Sequence, residues 1–339
     1  IRHSLLLLGL AANWRAPLFL PLPGGCAIGN RKHDMHVASL QRMGYAMEES
    51  ELGLHLAESG PRREAAVEFH YPTFGGTLNV LFAAVRSDAE VMLRGAARNP
   101  EVEDVIRLLR AMGANIERRD GNTLLIRGVP RLEGTEHTVM SDRIVAATVI
   151  AGVGVTKGEA AVYGADASVL EAEIAAWREA GLAIEAMEGG IRARWERQLR
   201  GVDVATAAYP GFHTDIQPLH AVLMATAAGE SSLTETILDG RFAYCAELNK
   251  LGARIRIEDG GFLCVNGAPG QVARIRGVER LRGGVVRATD IRGGAAVAVA
   301  ALGASGVTRV TNLYQLERGY GNFVELFSSL GADIARVHG

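Results

Sequence analysis

The stretch Pro23 to His36, PGGCAIGNRKHDMH, concentrates reactive side chains. Cys26 stands between Gly25 and Ala27, where little bulk keeps a ligand from the sulfur. Arg31 and Lys32 follow closely, and cationic neighbours favour a thiolate over a thiol. That pattern suits a reactive sulfur meeting an anionic substrate; the alternative is a thiol buried as a small hydrophobe. Arginines then recur in short punctuated motifs: Arg241 in DGRF, Arg292 in ATDIRGG and Arg318 in ERGYG. The guanidinium fork donates two parallel hydrogen bonds to a carboxylate or phosphate; an ordinary surface ion pair is the competing use. Asp215, in YPGFHTDIQ, precedes an apolar helical stretch. It either caps that helix or, if Thr214 does so, stays free for chemistry. Asp290 poses the same choice, as a cap or as a partner that orients Arg292.

The elements that position these residues follow from length and periodicity. A chain of 339 residues exceeds one ordinary core, so two domains are expected. Hydrophobic residues make up 48% and charged ones 22%, as in a soluble globular protein. The net charge of −2 gives no general attraction to nucleic acid or anionic membrane, so anion binding must come from local arginines. Three scattered cysteines without a CxxC pair argue against a disulfide framework or zinc site and for a reducing cytoplasm. Cys245 and Cys264 fall in helix and strand patterns and read as buried hydrophobes. No His/Asp/Glu cluster has metal-ligand spacing, and no Walker or dinucleotide-binding loop is present, so neither metal nor cofactor is expected.

One phrase repeats. LQRMGYAM, LLRAMGANIE, WREAGLAIE, LNKLGARIRIE and LFSSLGADIARV place glycines at 44, 113, 181, 252 and 331, at intervals of 69, 68, 71 and 79 residues. Each reads as an amphipathic helix ended by a left-handed glycine and followed by an alternating strand. About 40 residues before each glycine lies a second segment, small and apolar all round, as befits a buried helix. LLLLGLAA, residues 5–12, takes that place in the first unit. It is far shorter than the roughly 20 residues of a membrane span, although Arg2 and His3 ahead of it give the outline of a signal peptide. Each unit is thus strand, buried helix, strand, outer helix, glycine turn, strand. The expected division is 1–138, carrying two units and the cysteine loop, and 139–339, carrying three. The first residue is Ile, so the chain is expected to be cut from a longer one with a sixth unit in front.

LPGGCAIGNR, ARNPEVEDVIRLLRAMGANI, YPGFHTDIQ, TETILDGRF, ATDIRGGAAVAVAAL and ERGYGNFVELFSSLGADI together resemble the UDP-N-acetylglucosamine 1-carboxyvinyltransferase family, over essentially the whole chain. The resemblance implies two inside-out α/β-barrel domains of βαβαββ-type repeats, the enolpyruvyl transferase fold, here with the first repeat missing and the active site between the domains. It implies transfer of the enolpyruvyl group of phosphoenolpyruvate to the 3-hydroxyl of UDP-N-acetylglucosamine, with release of phosphate, in peptidoglycan precursor synthesis. Cys26 then protonates the methylene carbon, and Asp215 acts on the acceptor hydroxyl and on the intermediate. Arg318 is catalytic and, with Arg31, Arg241 and Arg292, grips phosphoenolpyruvate. Arg2, Arg31, Lys32, His33, Asp34, Met35, Thr73, Phe74, Gly75, Asp215 and Ile237 contact the nucleotide sugar. Thr73 to Gly75 also read as a helix N-terminus, suited to a diphosphate.

Four positions depart from the family pattern. Lys32-His33 replaces a usual Pro-Val, Asn99 replaces a Glu, and Gln315 replaces a His. These leave two further readings open: an enolpyruvyl transferase acting on another nucleotide, or a non-catalytic or fragmentary relative that binds a nucleotide sugar. A missing repeat is expected to expose apolar surface and lower stability. The expected partners are small molecules only, for a cytoplasmic monomer without nucleic-acid or membrane contacts.

Overall fold

In the computed structural model, residues 2–14, 17–22, 32–57 and 64–337 are described. They fall into two compact units that divide between Met140 and Ser141.

The first unit opens with α1 (Leu6–Trp14), β1 (Leu18–Pro21), α2 (Asp34–Arg42) and the strands β2 (Met47–Glu49) and β3 (Gly53–Leu56). A complete repeat follows: β4 (Ala65–Glu68), α3 (Phe74–Ala84), β5 (Glu90–Arg94), α4 (Pro100–Ala111), β6 (Asn115–Arg119) and β7 (Thr123–Arg127). The second unit holds three repeats. The first is α5 (Arg143–Thr156), β8 (Glu159–Tyr163), α6 (Glu171–Ala180), β9 (Leu182–Met187) and β10 (Gly190–Trp195). The next is β11 (Val204–Ala205), α7 (Gln217–Ala225), β12 (Glu230–Glu235), α8 (Ala243–Lys250), β13 (Arg254–Leu263) and β14 (Pro269–Arg276). The last is β15 (Val285–Arg287), α9 (Ile291–Gly303), β16 (Arg309–Thr311), α10 (Leu313–Glu317) and α11 (Phe323–Ser329).

The five punctuating glycines behave alike. Gly44, Gly113, Gly181, Gly252 and Gly331 have φ between 89° and 112°, a region closed to most L-residues, and each ends an outer helix. The all-apolar segments α3, α5, α7 and α9 are almost wholly buried. In the second unit α5, α7 and α9 pack on one another, with the sheets and outer helices around them. In the first unit α1 and α3 form the equivalent pair.

That pair shows how small residues set the packing. A Cβ on Gly9 would stand 2.5 Å from the Asn79 carbonyl oxygen, so only glycine lets the two helices approach this closely. Asn79, fully buried, then joins three elements. Its amide nitrogen donates to Leu5 O (2.9 Å) and His36 Nδ1 (2.6 Å), and its oxygen accepts from Gly9 N (3.0 Å). Around it Leu5, Leu8, Leu40 and Leu81 are at most 1% exposed, each worth about 1.5–3 kcal/mol.

The strands form five separate sheets, ordered β1-β3-β2, β4-β5-β7-β6, β8-β10-β9, β11-β12-β14-β13 and β15-β16. Among the strands of the described residues, β4–β5, β11–β12 and β15–β16 are the parallel pairs. Among the described residues no sheet closes into a barrel. The inside-out character lies in the buried helices, while the strands alternate between core and solvent.

Candidate active site

The second unit brings three of the sequence-derived residues together. Asp215 lies just before α7, Arg241 just before α8, and Arg292 in the first turn of α9. All three lie at the N-terminal ends of helices, Asp215 and Arg292 at the buried helices of successive repeats and Arg241 at the outer helix of the first of them. One Asp215 carboxylate oxygen is bonded by Arg241 Nη2. The other accepts from Arg292 Nε at 3.2 Å. Arg241 also donates from Nε (3.3 Å) and Nη2 (3.2 Å) to the Thr214 carbonyl. Its side chain is 2% exposed, whereas those of Asp215 and Arg292 keep 30% and 20%.

Burial alone would raise the Asp215 pKa, but Arg241 and then Arg292 hold the carboxyl far below the usual range. Burial likewise disfavours charge on Arg292, and Asp215 outweighs it, so the guanidinium stays protonated. Arg292 lies over the Tyr320 ring, 5.8 Å from its centroid, and the Tyr320 hydroxyl lies 2.8 Å from Thr148 Oγ1. Nη1 of Arg292 is buried with no protein partner among the described residues. A buried guanidinium N–H without an acceptor is costly, which makes Arg292 a candidate anion-binding group.

The capping question resolves differently at the two aspartates. Neither Thr214 nor Asp215 caps α7, whose N-cap is Ile216. Asp290 does cap α9: its Oδ1 accepts from the backbone N–H of Arg292 (3.0 Å) and of Gly293 (3.1 Å). It therefore fixes the helix start from which Arg292 projects rather than the guanidinium itself. Arg318 ends α10, donating from Nη1 to Gln315 Oε1 (3.0 Å) with Tyr314 beneath it at 5.9 Å. The neighbouring Gly319 is close to Arg292: a Cβ there would be 3.8 Å from Nη1.

A second group gathers in the first unit around the starts of α2 and α3. Thr73 caps α3, accepting from Gly76 N at 3.4 Å. Phe74 meets His3 edge-on, with centroids 6.4 Å apart. Gly75 faces the His36 ring, which a Cβ would approach to 2.8 Å. Arg2 donates to the Lys32 carbonyl at 2.5 Å. His33, which begins α2, pairs with Glu49 Oε1 at 2.8 Å. Asp34 is exposed in the first turn, and Met35 packs on the core. Burial first, then Arg2 and His33, lower the His36 pKa to about 4, while Asp34 opposes them. Cys26 and Arg31 lie outside the described residues.

Sequence reasoning missed two carboxylates. Glu235, 1% exposed at the end of β12, accepts from Thr206 Oγ1 (3.0 Å), Thr214 Oγ1 (2.9 Å), Ile237 N (2.9 Å) and Leu238 N (3.1 Å). Glu173, 3% exposed in α6, accepts from His213 N at 2.7 Å. Burial raises both pKa values. The TET alternation that makes β12 a strand hid Glu235, since nothing local marks one strand carboxylate as inward. Cys245 and Cys264 are buried, as their patterns suggested, and burial pushes their thiols up to about 12 and about 11.

Among the described residues no group of three or more His, Cys, Asp or Glu is placed to hold a metal ion, and no helix is long and apolar enough to cross a membrane. Comparison with known proteins shows the family. The family model described as EPSP synthase (3-phosphoshikimate 1-carboxyvinyltransferase) matches residues 4–327. A UDP-N-acetylglucosamine 1-carboxyvinyltransferase of Solidesulfovibrio magneticus is 41% identical over 99% of this chain and 78% of its own length. One from Granulibacter bethesdensis is 39% identical over 100% and 78%. Among solved structures, the enolpyruvyl transferase NikO from Streptomyces tendae aligns with a TM-score of 0.84 at 25% identity, covering 99% of this chain and 77% of that one. EPSP synthase from Acinetobacter baumannii aligns at 0.68 with 18% identity, over 96% and 76%, and shows a shared fold.

Proposed function

The chain belongs to the EPSP synthase family of 1-carboxyvinyltransferases, and from that premise we propose that it moves the enolpyruvyl group of phosphoenolpyruvate onto the 3-hydroxyl of UDP-N-acetylglucosamine. The observation that carries this reading is the Asp215 carboxylate set between Arg241 and Arg292, with a guanidinium N–H of Arg292 buried and unmatched. The acceptor is taken from relatives near 40% identity that bear that name.

The reaction has two halves. The acceptor hydroxyl oxygen bonds to carbon 2 of phosphoenolpyruvate while carbon 3 gains a proton. Carbon 3 then loses a proton, and the bond from carbon 2 to the phosphate oxygen breaks, releasing phosphate. Asp215, kept as a carboxylate by its two arginines, accepts the hydroxyl proton in the first half, gives it up to solvent, from which the Cys26 thiolate is reprotonated, and then takes the carbon 3 proton in the second. Two arginines weaken it as a base. Phosphate and carboxylate groups of the substrate, arriving at Arg292, draw off part of that positive field and strengthen the base where it is needed. Arg292, Arg318 and Arg31 supply charge to the phosphate and carboxylate. Arg241, buried and committed to Thr214 and Asp215, fixes the aspartate and contributes charge from behind. Cys26 donates the proton to carbon 3. Thr73 to Gly75 offer backbone N–H groups to the diphosphate, with Arg2, Lys32, His33, Asp34 and Met35 beside the uridine and Ile237 beside the sugar. Both substrates are small soluble anions, and on this reading the reaction belongs to the cytoplasm and to a monomer.

Mass spectrometry of the product tests the assignment. UDP-N-acetylglucosamine should gain one enolpyruvyl group, on oxygen 3. A second reading, transfer to another nucleotide, is favoured by Lys32 and His33, which stand where the family pattern has Pro-Val. Calorimetric titration with UDP-N-acetylglucosamine and with UMP separates the two: tighter binding of the amino sugar supports the first.

A further inference from the structure

Asp215 is useful only if its carboxylate is aimed, and the backbone that carries it is a short turn outside α7. Two buried carboxylates grip that turn. Glu173 takes the N–H of His213 at 2.7 Å. Glu235 takes the hydroxyl of Thr214 at 2.9 Å. Thr214 is thus pinned from both ends, since its carbonyl accepts from Arg241 at 3.2 and 3.3 Å. The remaining bonds of Glu235 reach Thr206 and the N–H groups of Ile237 and Leu238, the segment between β12 and Arg241.

Four donors converge on Glu235 and none of the bonds needs a proton on it, so the side chain serves as an acceptor in all four. A buried carboxylate is expensive unless it is hydrogen-bonded in this way. A glutamine of the same shape would present an NH₂ to at least one of these donors. Leucine would strand all four.

Resting on the reading proposed above, we infer that Glu235 is a positioning residue for the transfer: through the Thr214 hydroxyl it sets Asp215 against the acceptor hydroxyl, and through Ile237 and Leu238 it sets the adjoining loop in register. One side chain thereby couples the base to the sugar-binding segment. Glu235 touches no substrate.

The experiment uses the full chain and the variants Glu235→Gln, Thr214→Val and Thr214→Ser, with the double variant of the first two. Phosphate release gives kcat and KM, and carbon-13 NMR follows titration of the Asp215 carboxyl. Thr214→Val and Glu235→Gln should each lower kcat on the order of 10- to 100-fold, the scale of a misaimed group, with KM for phosphoenolpyruvate within about threefold of wild type. Thr214→Ser should restore kcat to within a few-fold, because it keeps the hydroxyl. The double variant should be little worse than either single one, because both break the same link. The Asp215 carboxyl should titrate higher in Thr214→Val, which changes no charge, and unchanged in Thr214→Ser; in Glu235→Gln it should move as well, the lost negative charge opposing the misaimed contact. Folded Thr214→Val and Glu235→Gln proteins with wild-type kcat and unmoved Asp215 titration would overturn the inference, as would losses that multiply in the double variant. If wild type turns over neither substrate while the titration still moves as described, the proposed reaction fails and the positioning role stands.

Discussion

The amide nitrogen of Asn79 lies 2.6 Å from Nδ1 of His36. The amide must donate there, so the ring accepts at Nδ1 and is neutral. Its folded pKa of about 4 lies below the unfolded value of 6.5. The unfolded chain therefore binds more protons between those values, and stability rises with pH through the window. The contribution is complete above pH 6.5 and is lost as pH falls toward 4, amounting to about 3 kcal/mol. His220, fully buried in α7 and also lowered to about 4 by burial, acts in the same direction. Urea midpoints should drop steeply between pH 6.5 and 4.5, and His36→Gln should flatten that slope. A midpoint constant over this range would contradict the neutral, buried histidines.

Asn79→Ala should cost more than its volume suggests. It strands the Leu5 carbonyl, the Gly9 N–H and His36 Nδ1, and each buried orphan costs about 1–3 kcal/mol. A loss of at least about 2 kcal/mol in equilibrium unfolding is expected, confined to the first unit. Unchanged unfolding would mean that the amide is not the staple of α1, α2 and α3.

Asp215→Asn separates two consequences of one contact. Arg241, almost fully buried, loses the charge that compensates it, and breaking such a pair costs about 3–5 kcal/mol. Turnover should fall by about 10²- to 10⁴-fold with loss of the base. Arg292, freed from its built-in anion, should bind inorganic phosphate more tightly, as read by calorimetry. Phosphate affinity equal to wild type would show that Arg292 does not serve as an anion site.

How much of this was legible in the sequence depends on the kind of signal. The repeat was, because a left-handed glycine and an all-apolar helix are local requirements, and Gly44 to Gly331 meet them five times. Arg241, Arg292 and Asp215 were flagged by motif, and the structure joins them. Glu235 and Glu173 were not, since their meaning comes from donors supplied by distant segments, such as Thr206 and Thr214 for Glu235. The division of labour between Arg241 and Arg292 was hidden for the same reason: burial behind Asp215 is a tertiary fact. That the described strands stay in separate sheets and close no barrel is also beyond periodicity, which fixes strands but not which edges meet.

Tyr320 offers a finer dissection. Tyr320→Phe keeps the ring and removes the hydroxyl, which bonds Thr148 Oγ1 and also interacts with Arg292, and should cost about 1 kcal/mol of stability while leaving KM for phosphoenolpyruvate within twofold. Tyr320→Leu also removes the ring beneath Arg292, a contact worth about 0.5–2 kcal/mol, and should raise that KM several-fold. Equal effects of the two variants on KM would assign the role to the hydroxyl instead.

The most direct measurement is phosphate release from phosphoenolpyruvate by the full chain, with and without UDP-N-acetylglucosamine, beside Asp215→Asn and Cys26→Ala. Release that requires both substrates, and that either substitution reduces at least a hundredfold, is the predicted result. Release without the acceptor, or at an undiminished rate in folded Asp215→Asn, would contradict the assignment of Asp215 as the base of an enolpyruvyl transfer.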